Sequence, residues 1–595
     1  MIIKKIAKLL SPKDKKKSIL LVLMTLVMAF LEMIGVASIM PFIAVLSNPQ
    51  LIQSNFILSE VYAFLKFNKN IDFIIFLGFF SFCLLMFSLT FKAVTTYVQL
   101  KFALMYEYTL GKRLVEGYLL QPYTWFLKRN SATISKNVLS EVSAVTNGCL
   151  MPMISLITQF AVAIAIIILL LLFDPIVSMI VGLIFGIAYS ITYKLVSSLL
   201  LKLGSQRTKA NEDRFTIISE AFGAFKEVKV SGLEKFYLGL FKVPAKKYAE
   251  NEAIASVVRQ LPRYALEMIA FGGMLLIAIY YILEKGSFAD AVPIMALFAF
   301  AGYRFMPAIQ QIYSSLTQLK FITPVLDSIY VDLINLEKNL EIQRYENLKF
   351  NKIIKLKNIY FSYPDVQKYN LENINLEIKY KQKIGIVGET GSGKTTLVDL
   401  ILGLLNPKKG SLLVDDVLVN DQNKRSWQSL IGYVPQQIYL TDNSIAANIA
   451  FGIQEDKIDY EIVQNVAKIS NLDEFVTKEL DKGYHTLVGE RGVRLSGGQI
   501  QRIGIARALY RNPQLLIFDE ATSALDNLTE QEVMKAIENL DNKITTIIIA
   551  HRLNTVRNCD KIFLFDKGKL LAEGNFEELV KKNRLFSNMI KNNNS

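Results

Sequence analysis

GETGSGKT, residues Gly388–Thr395, is the stretch on which the reading of this chain turns. It has the spacing glycine, four residues, then Gly-Lys-Thr. Before it, Lys383–Val387 (KIGIV) has the pattern of a short buried strand, and after it Thr396–Leu405 (TLVDLILGLL) has that of a helix. That order carries chemistry. Gly388, Gly391 and Gly393 let backbone N–H groups, those of Glu389, Thr390 and Ser392 among them, close around phosphate oxygens. The helix that opens at Lys394–Thr396 aims its positive dipole end at the same anion. Lys394 reaches the outer phosphates, and the Thr395 hydroxyl holds a magnesium ion. The loop therefore predicts a nucleoside triphosphate with Mg2+.

Two more stretches complete such a site. Leu515–Glu520 (LLIFDE) is an apolar strand ending in two carboxylates. Asp519 is placed to support the magnesium ion, and Glu520 to polarise a water in line with the terminal phosphate. Between the two motifs, Leu495–Gln499 (LSGGQ) opens a helical stretch running through Gln501–Tyr510. Ser496, Gly497, Gly498 and Gln499 thus form a second anion-binding helix start. Of the two histidines, His551 follows the apolar strand Thr545–Ala550 and suits a hydrogen bond to a terminal phosphate, whereas His485 lies in a polar loop. Upstream, Ile353–Ile359 and Leu371–Ile378 alternate as strands around a turn at Tyr363-Pro364-Asp365. Tyr363 is a candidate to stack on an adenine face, with turn packing the plainer alternative.

The rest of the chain is of another kind. At 595 residues it exceeds one domain, and 52% of it is hydrophobic with positive mean hydropathy. Long apolar runs dominate up to about residue 319, and a soluble α/β pattern follows from about residue 341. A division into 1–335 and 336–595 is expected. The net charge of +14 raises nucleic acid as a partner. Its placement argues otherwise, because lysines such as Lys4, Lys5, Lys8, Lys13, Lys15, Lys16 and Lys17 flank an apolar run, the positive-inside pattern, and no aromatic-basic recognition motif accompanies them. The three cysteines, Cys83, Cys149 and Cys559, lack metal-type spacing and read as small packed residues in a reduced compartment. The basic N-terminus precedes an apolar stretch too long for a signal core, so an uncleaved first span is expected.

Six stretches reach the roughly 20 apolar residues that a bilayer requires: 18–46, 71–100, 150–173, 175–201, 253–283 and 289–319. Between the first two, Phe56, Ile57, Val61, Phe64 and Leu65 recur at helical spacing. A short amphipathic helix at the outer surface and an ordinary loop both fit that pattern. Polar excursions follow spans two and four, at 101–148 and 202–252, and with a cytoplasmic N-terminus both face the cytoplasm. Turn-like tips near 121–126 and 221–230 are natural contact points for a soluble domain. Glu32, Lys92, Arg263, Glu267 and Arg304 fall in or beside spans, where charge is costly and therefore a functional candidate. The alternative for each is a paired or interfacial residue. Lys92, Arg263 and Arg304 converging on one cavity would make a site for phosphate-like anions.

Taken together, the phosphate loop, LSGGQ, Asp519–Glu520, Gln436 in YVPQQ, Asp526 in SALD, Glu490 in VGERG and His551 resemble the ABC transporters. The likeness is to exporter-type half-transporters with the membrane part first. The resemblance implies a type I exporter fold of six transmembrane helices followed by an α/β nucleotide-binding domain. It implies a homodimer with ATP between one subunit's phosphate loop and the other's signature. It also implies that Gln436 senses magnesium and the attacking water, and that Asp526 belongs to the ATP site. Within the membrane half, FLEMIGVASIMPFI (30–43), LPRYALEMIAFGG (261–273) and AGYRFMPAIQ (301–310) resemble bacterial lipid-linked-oligosaccharide flippases of protein N-glycosylation, the PglK type. That family flips a polyprenyl-pyrophosphate glycan across the bacterial inner membrane, using a belt of cavity cations. Arg263 and Arg304 match arginines of the belt, and Lys92 stands where the family has arginine, keeping the charge without the bidentate fork. A general exporter of lipids, drugs or peptides is the nearest alternative, with a peptide-processing one disfavoured because no cysteine-protease domain precedes span one. An ATP-gated channel or non-hydrolysing regulator is a further alternative, disfavoured by the presence of both Glu520 and His551. An importer is less expected still, since importers usually carry their membrane and ATPase parts on separate chains.

Overall fold

The computed structural model describes residues 2–173, 175–285, 288–337, 347–364, 368–520, 530–531, 544–550 and 553–593. The chain forms two units. One is Met1–Gln121 with Trp125–Leu340, and the other is Glu341–Ser595 together with Pro122–Thr124.

The first unit is helical. Pro12–Ala37 continues after a break at Ser38 as Ile39–Ser47, and it is followed by Asn70–Leu119, a run from Ser131 to Phe173, Pro175–Gly223, Glu234–Lys285 and Phe288–Glu337. All six apolar stretches lie on these helices. The four longest have 49 to 52 residues, about 75 Å at 1.5 Å per residue, against about 30 Å of hydrocarbon. Each therefore continues into water, as the polar excursions require. Residues such as Ile19, Ile71, Phe79 and Phe82 lie exposed on the helices, the surface a bilayer would cover. The segment between the first two spans is two short helices, Leu51–Ser54 and Phe56–Phe64. Asn55 caps the second, its side chain accepting from the N–H groups of Ile57 and Leu58. The excursion tips contain the short helices Tyr123–Phe126 and Phe225–Val230. Where the fourth and sixth helices meet, a Cβ on Gly204 would sit 1.9 Å from the Phe321 carbonyl oxygen, so only glycine permits that approach.

Charged residues lock the excursions together. Arg207 is buried and donates to Glu141 Oε2 at 2.8 Å, to Glu252 Oε1 at 3.2 Å and to the Tyr248 hydroxyl at 3.1 Å. Asn211 donates to the second Glu141 oxygen at 2.8 Å. Asp332, near the end of the sixth helix, accepts from Tyr118 (2.9 Å), Arg129 (3.1 Å) and Asn137 (3.0 Å). These partners are far apart in sequence, and no local pattern announces them.

The second unit is an α/β domain with two sheets. Strands β1 (Ile353–Phe361), β2 (Leu371–Lys379), β4 (Lys409–Val414) and β5 (Val417–Leu418) form an antiparallel sheet in the order β2-β1-β4-β5. The larger sheet is β10-β9-β3-β8-β7-β6, made from β3 (Lys383–Gly388), β6 (Ile431–Val434), β7 (Leu515–Asp519), β8 (Thr545–Ile549), β9 (Lys561–Asp566) and β10 (Lys569–Gly574). Its strands run parallel except for β10. Strand alternation divides its side chains between two cores. Leu516, Phe518, Ile548, Ile562 and Leu564 pack on one face, and Ile384, Ile386, Leu515, Ile517, Ile547 and Phe563 on the other. Burial on both faces explains why these strands are written as continuous apolar runs.

Candidate functional site

Parallel register brings the ends of β3, β8 and β7 level. Ile386 pairs with Ile549, and Ile549 with Asp519. The phosphate loop leaves β3 and the two carboxylates end β7, so both motifs open at the carboxyl edge of one sheet, where α/β folds bind ligands.

In the loop, Gly391 and Gly393 have φ of +82° and +98°, and Gly393 caps the helix Lys394–Ile401. A side chain at Gly393 would also meet Leu371 Cδ2 at 2.8 Å. The helix starts two residues earlier than Thr396 and stops at Ile401, with Gly403 (φ +66°) turning the chain beyond it. Lys394 is buried, and its Nζ donates to the carbonyl oxygens of Gly388 (2.8 Å) and Glu389 (3.0 Å). Burial lowers its pKa, while Glu520 and Asp519 pull it upward. Ser392 Oγ is buried without a hydrogen-bond partner, and a Cβ added at Gly391 would meet nothing within 4 Å. A lysine, an orphaned hydroxyl and open space beside backbone N–H groups suit a triphosphate. Tyr363 leans over the same helix start, its hydroxyl 3.3 Å from Thr396 Oγ1 and its ring edge-on to Phe361.

At the end of β7, Asp519 is buried and accepts from the Tyr433 hydroxyl at 3.2 Å. Glu520 adopts φ +51°, sparsely populated for a non-glycine residue, and its N–H donates to Ile549 O at 3.1 Å. Its Oε2 accepts from Gln436 Nε2 at 2.6 Å, which joins the residue after β6 and Pro435 to the end of β7. Thr395, Asp519 and Gln436 are a set of hard oxygen donors with a single carboxylate, which fits Mg2+ held partly by phosphates.

In the signature, Ser496 caps the 14-residue helix Gly497–Tyr510. Its Oγ accepts from Gln499 N at 3.3 Å, while Gln499 Oε1 accepts from Ser496 N at 2.8 Å, a capping box. His551 and Asp526 lie outside the described residues.

Two charged residues around these motifs carry no motif of their own. Arg507 donates to the carbonyl oxygens of Asn448 (2.8 Å) and Tyr439 (2.9 Å) and stacks on Phe451, and burial lowers its pKa to about 10. Asp399, one turn after Thr395, is buried, and that burial, with Asp519 nearby, raises its pKa to about 6. The i to i+4 step from Thr395 was its one sequence signal. Because the folded-state pKa lies above the unfolded value, the folded state holds the extra proton. Stability should therefore fall as pH rises from about 4 through 6. Asp399→Asn in magnesium-free buffer is expected to stabilise the protein by up to about 3 kcal/mol at pH 7.5 and not at pH 4. Denaturant unfolding at the two pH values measures this, and equal effects at both would contradict it.

Lys92 and Arg263 take separate partners. Lys92 pairs with buried Glu32 at 2.7 Å, whereas Arg263 pairs with Glu267 one helical turn along its own helix at 2.6 Å and is exposed. A groove of about 280 Å³ takes in Lys92 and not Arg263. The side chain of Arg304 lies outside the described residues.

Comparison with known proteins agrees with this architecture. Residues 2–303 match the ABC transporter transmembrane region and residues 371–523 match the ABC transporter family. An ATP-dependent lipid A-core flippase of Cupriavidus pinatubonensis is 31% identical over 409 residues, 66% of this chain and 68% of its own. One from Cupriavidus metallidurans is 28% identical over 80% of both chains. ABC transporter B family member 29, chloroplastic, of Arabidopsis thaliana is 33% identical over 62% of this chain and 58% of its own. A solved bacterial Atm1-family ABC exporter with ATP bound shares the fold, with a TM-score of 0.75 at 22% identity over 98% of each chain.

The chain belongs to the ABC transporters. More particularly, it is an exporter-type half-transporter, a multi-pass membrane protein whose ATP hydrolysis is coupled to transport.

Proposed function

We propose that this protein is an ATP-driven flippase of a lipid-linked oligosaccharide, a polyprenyl-pyrophosphate glycan. It acts as a homodimer in the bacterial cytoplasmic membrane, with its N-terminus and nucleotide unit in the cytoplasm, and divides functionally at about residues 335–336. One observation carries the lipid reading. Similarity to a lipid A-core flippase spans 80% of the chain, which exceeds the nucleotide unit and reaches into the membrane unit, where cargo is selected. The motifs at 30–43, 261–273 and 301–310 narrow the lipid to the polyprenyl-linked class. The pyrophosphate falls to exposed Arg263, in competition with Glu267, and to Arg304, while Lys92 is already balanced by Glu32.

In the ATP site, backbone N–H groups of Gly388–Gly393 with Lys394, Thr395 and Thr396 bind the phosphates, and Tyr363 stacks on the base. Mg2+, held by Thr395 and Asp519 with Gln436 beside it, neutralises phosphate charge when bound. Glu520 takes the proton of the attacking water, oriented by the Gln436 amide that already touches it. His551 contacts the terminal phosphate. Ser496, Gly497, Gly498 and Gln499 of the second copy close the site, with Asp526 at the dimer seam. Because each chain carries one phosphate loop and one signature, two sites form per dimer. Closure on ATP shifts the membrane units from inward to outward facing, and hydrolysis resets them.

Liposomes containing the purified protein and a labelled polyprenyl-pyrophosphate glycan should show ATP-dependent reorientation of the glycan. Efflux of unrelated amphiphiles without that reorientation would establish a general exporter instead.

A further inference from the structure

The groove beside Lys92 is polar along much of one wall, although the spans around it are apolar. Its lining includes Gln99, Asn147, Thr158, Gln159 and Gln311 as well as Lys92. They come from three helices. Lys92, Gln159 and Gln311 stand eight or nine residues inside the excursion-side ends of spans two, three and six, which is about 12–13 Å at 1.5 Å per residue. That puts them within the hydrocarbon core of about 30 Å, on its excursion side. Two of the groups support each other, Gln99 Nε2 donating to Thr158 Oγ1 at 3.3 Å.

Amides at that depth cost free energy unless a cavity serves them. Each Gln or Asn offers two donors and an acceptor, the complement of vicinal hydroxyls, which both donate and accept. The charge balance narrows the ligand further. Among the described lining residues the one cation, Lys92, is paired with Glu32 at 2.7 Å. The groove therefore presents amides and hydroxyls with little net charge, an environment for neutral hydroxyls rather than for a multiply charged phosphate. Its volume, about 280 Å³, is close to the small end of ligand pockets, about 300 Å³, and matches a headgroup unit rather than a whole lipid.

We infer that this amide-lined groove is a carbohydrate subsite, which takes a sugar of the cargo's headgroup by hydrogen bonds while leaving the phosphate to other residues. The inference rests on the sugar-bearing-lipid reading above but does not require the polyprenyl class, since lipid A-core also carries sugars.

The test uses the full chain in lipid vesicles and three probes: a polyprenyl-pyrophosphate glycan, the same lipid without sugar, and lipid A-core. ATPase stimulation gives a half-saturating concentration for each. In Gln159→Met/Gln311→Met the value for a sugar-bearing probe should rise about tenfold, the worth of two lost neutral hydrogen bonds, while the sugar-free value holds. Single Gln311→Met, with a smaller shift in the same direction, serves if the double variant fails to fold. Equal shifts for sugar-bearing and sugar-free lipid, or no shift, overturn the subsite and leave the proposed cargo standing. A wild-type protein answering to lipid A-core alone overturns the polyprenyl cargo, and the variants' response to lipid A-core then decides the groove. No response to either sugar-bearing lipid overturns both.

Discussion

Glu520→Gln is expected to lower ATP turnover by about 10²–10⁴-fold while ATP still binds. Glu520 ends β7 on a backbone of φ +51°, held by its N–H to Ile549, so its carboxylate projects at the sheet edge rather than into either core. Gln436 Nε2 meets it at 2.6 Å, and the substituted amide keeps its size and a hydrogen bond to that partner. Only the capacity to accept a proton is lost. The phosphate loop proposed to bind ATP, Gly388–Thr396, is not touched by the substitution. Phosphate release measured beside binding of a fluorescent ATP analogue separates the two effects. Normal turnover would remove Glu520 as the base, and a wild-type protein that binds ATP without turnover would be a gated channel or regulator.

The second large effect lies far from the nucleotide. Glu141→Ala should destabilise the membrane unit by about 3–5 kcal/mol, because it strips the shortest partner from a guanidinium that is 5% exposed. Glu252, 34% exposed, cannot replace it alone. Asn211 loses an acceptor as well. Replacing both members of the pair, Glu141→Leu with Arg207→Met, should cost clearly less, since no buried charge is then stranded. Pulse proteolysis of the detergent-solubilised full chain reads both variants. A double variant as unstable as Glu141→Ala would show that the network acts through packing rather than charge.

These two residues differ in how visible they were beforehand. Glu520 sits in a short motif, LLIFDE, because a buried parallel strand must be continuously apolar and its polar end must mark the sheet edge. Glu141 and Arg207 are 66 positions apart and belong to helices whose local sequence is ordinary. The same contrast separates Lys394, written into GSGKT, from Arg507, whose hydrogen bonds to the carbonyl oxygens of Tyr439 and Asn448 have no local signature.

Local spacing was sufficient for the phosphate loop, the carboxylate strand, the signature helix start and the six apolar stretches. Each is imposed by backbone geometry or bilayer thickness acting on neighbouring residues. The break at Ser38, the Gln436–Glu520 contact and the pairing of Lys92 with Glu32 were decided only when distant segments packed. Charge partners depend on which faces of which helices meet, and that information is spread over the whole chain. Lys92, read alone, stood open between a cation of an anion site and a paired residue. The structure decides for the pair, with Glu32 2.7 Å from the Lys92 ammonium.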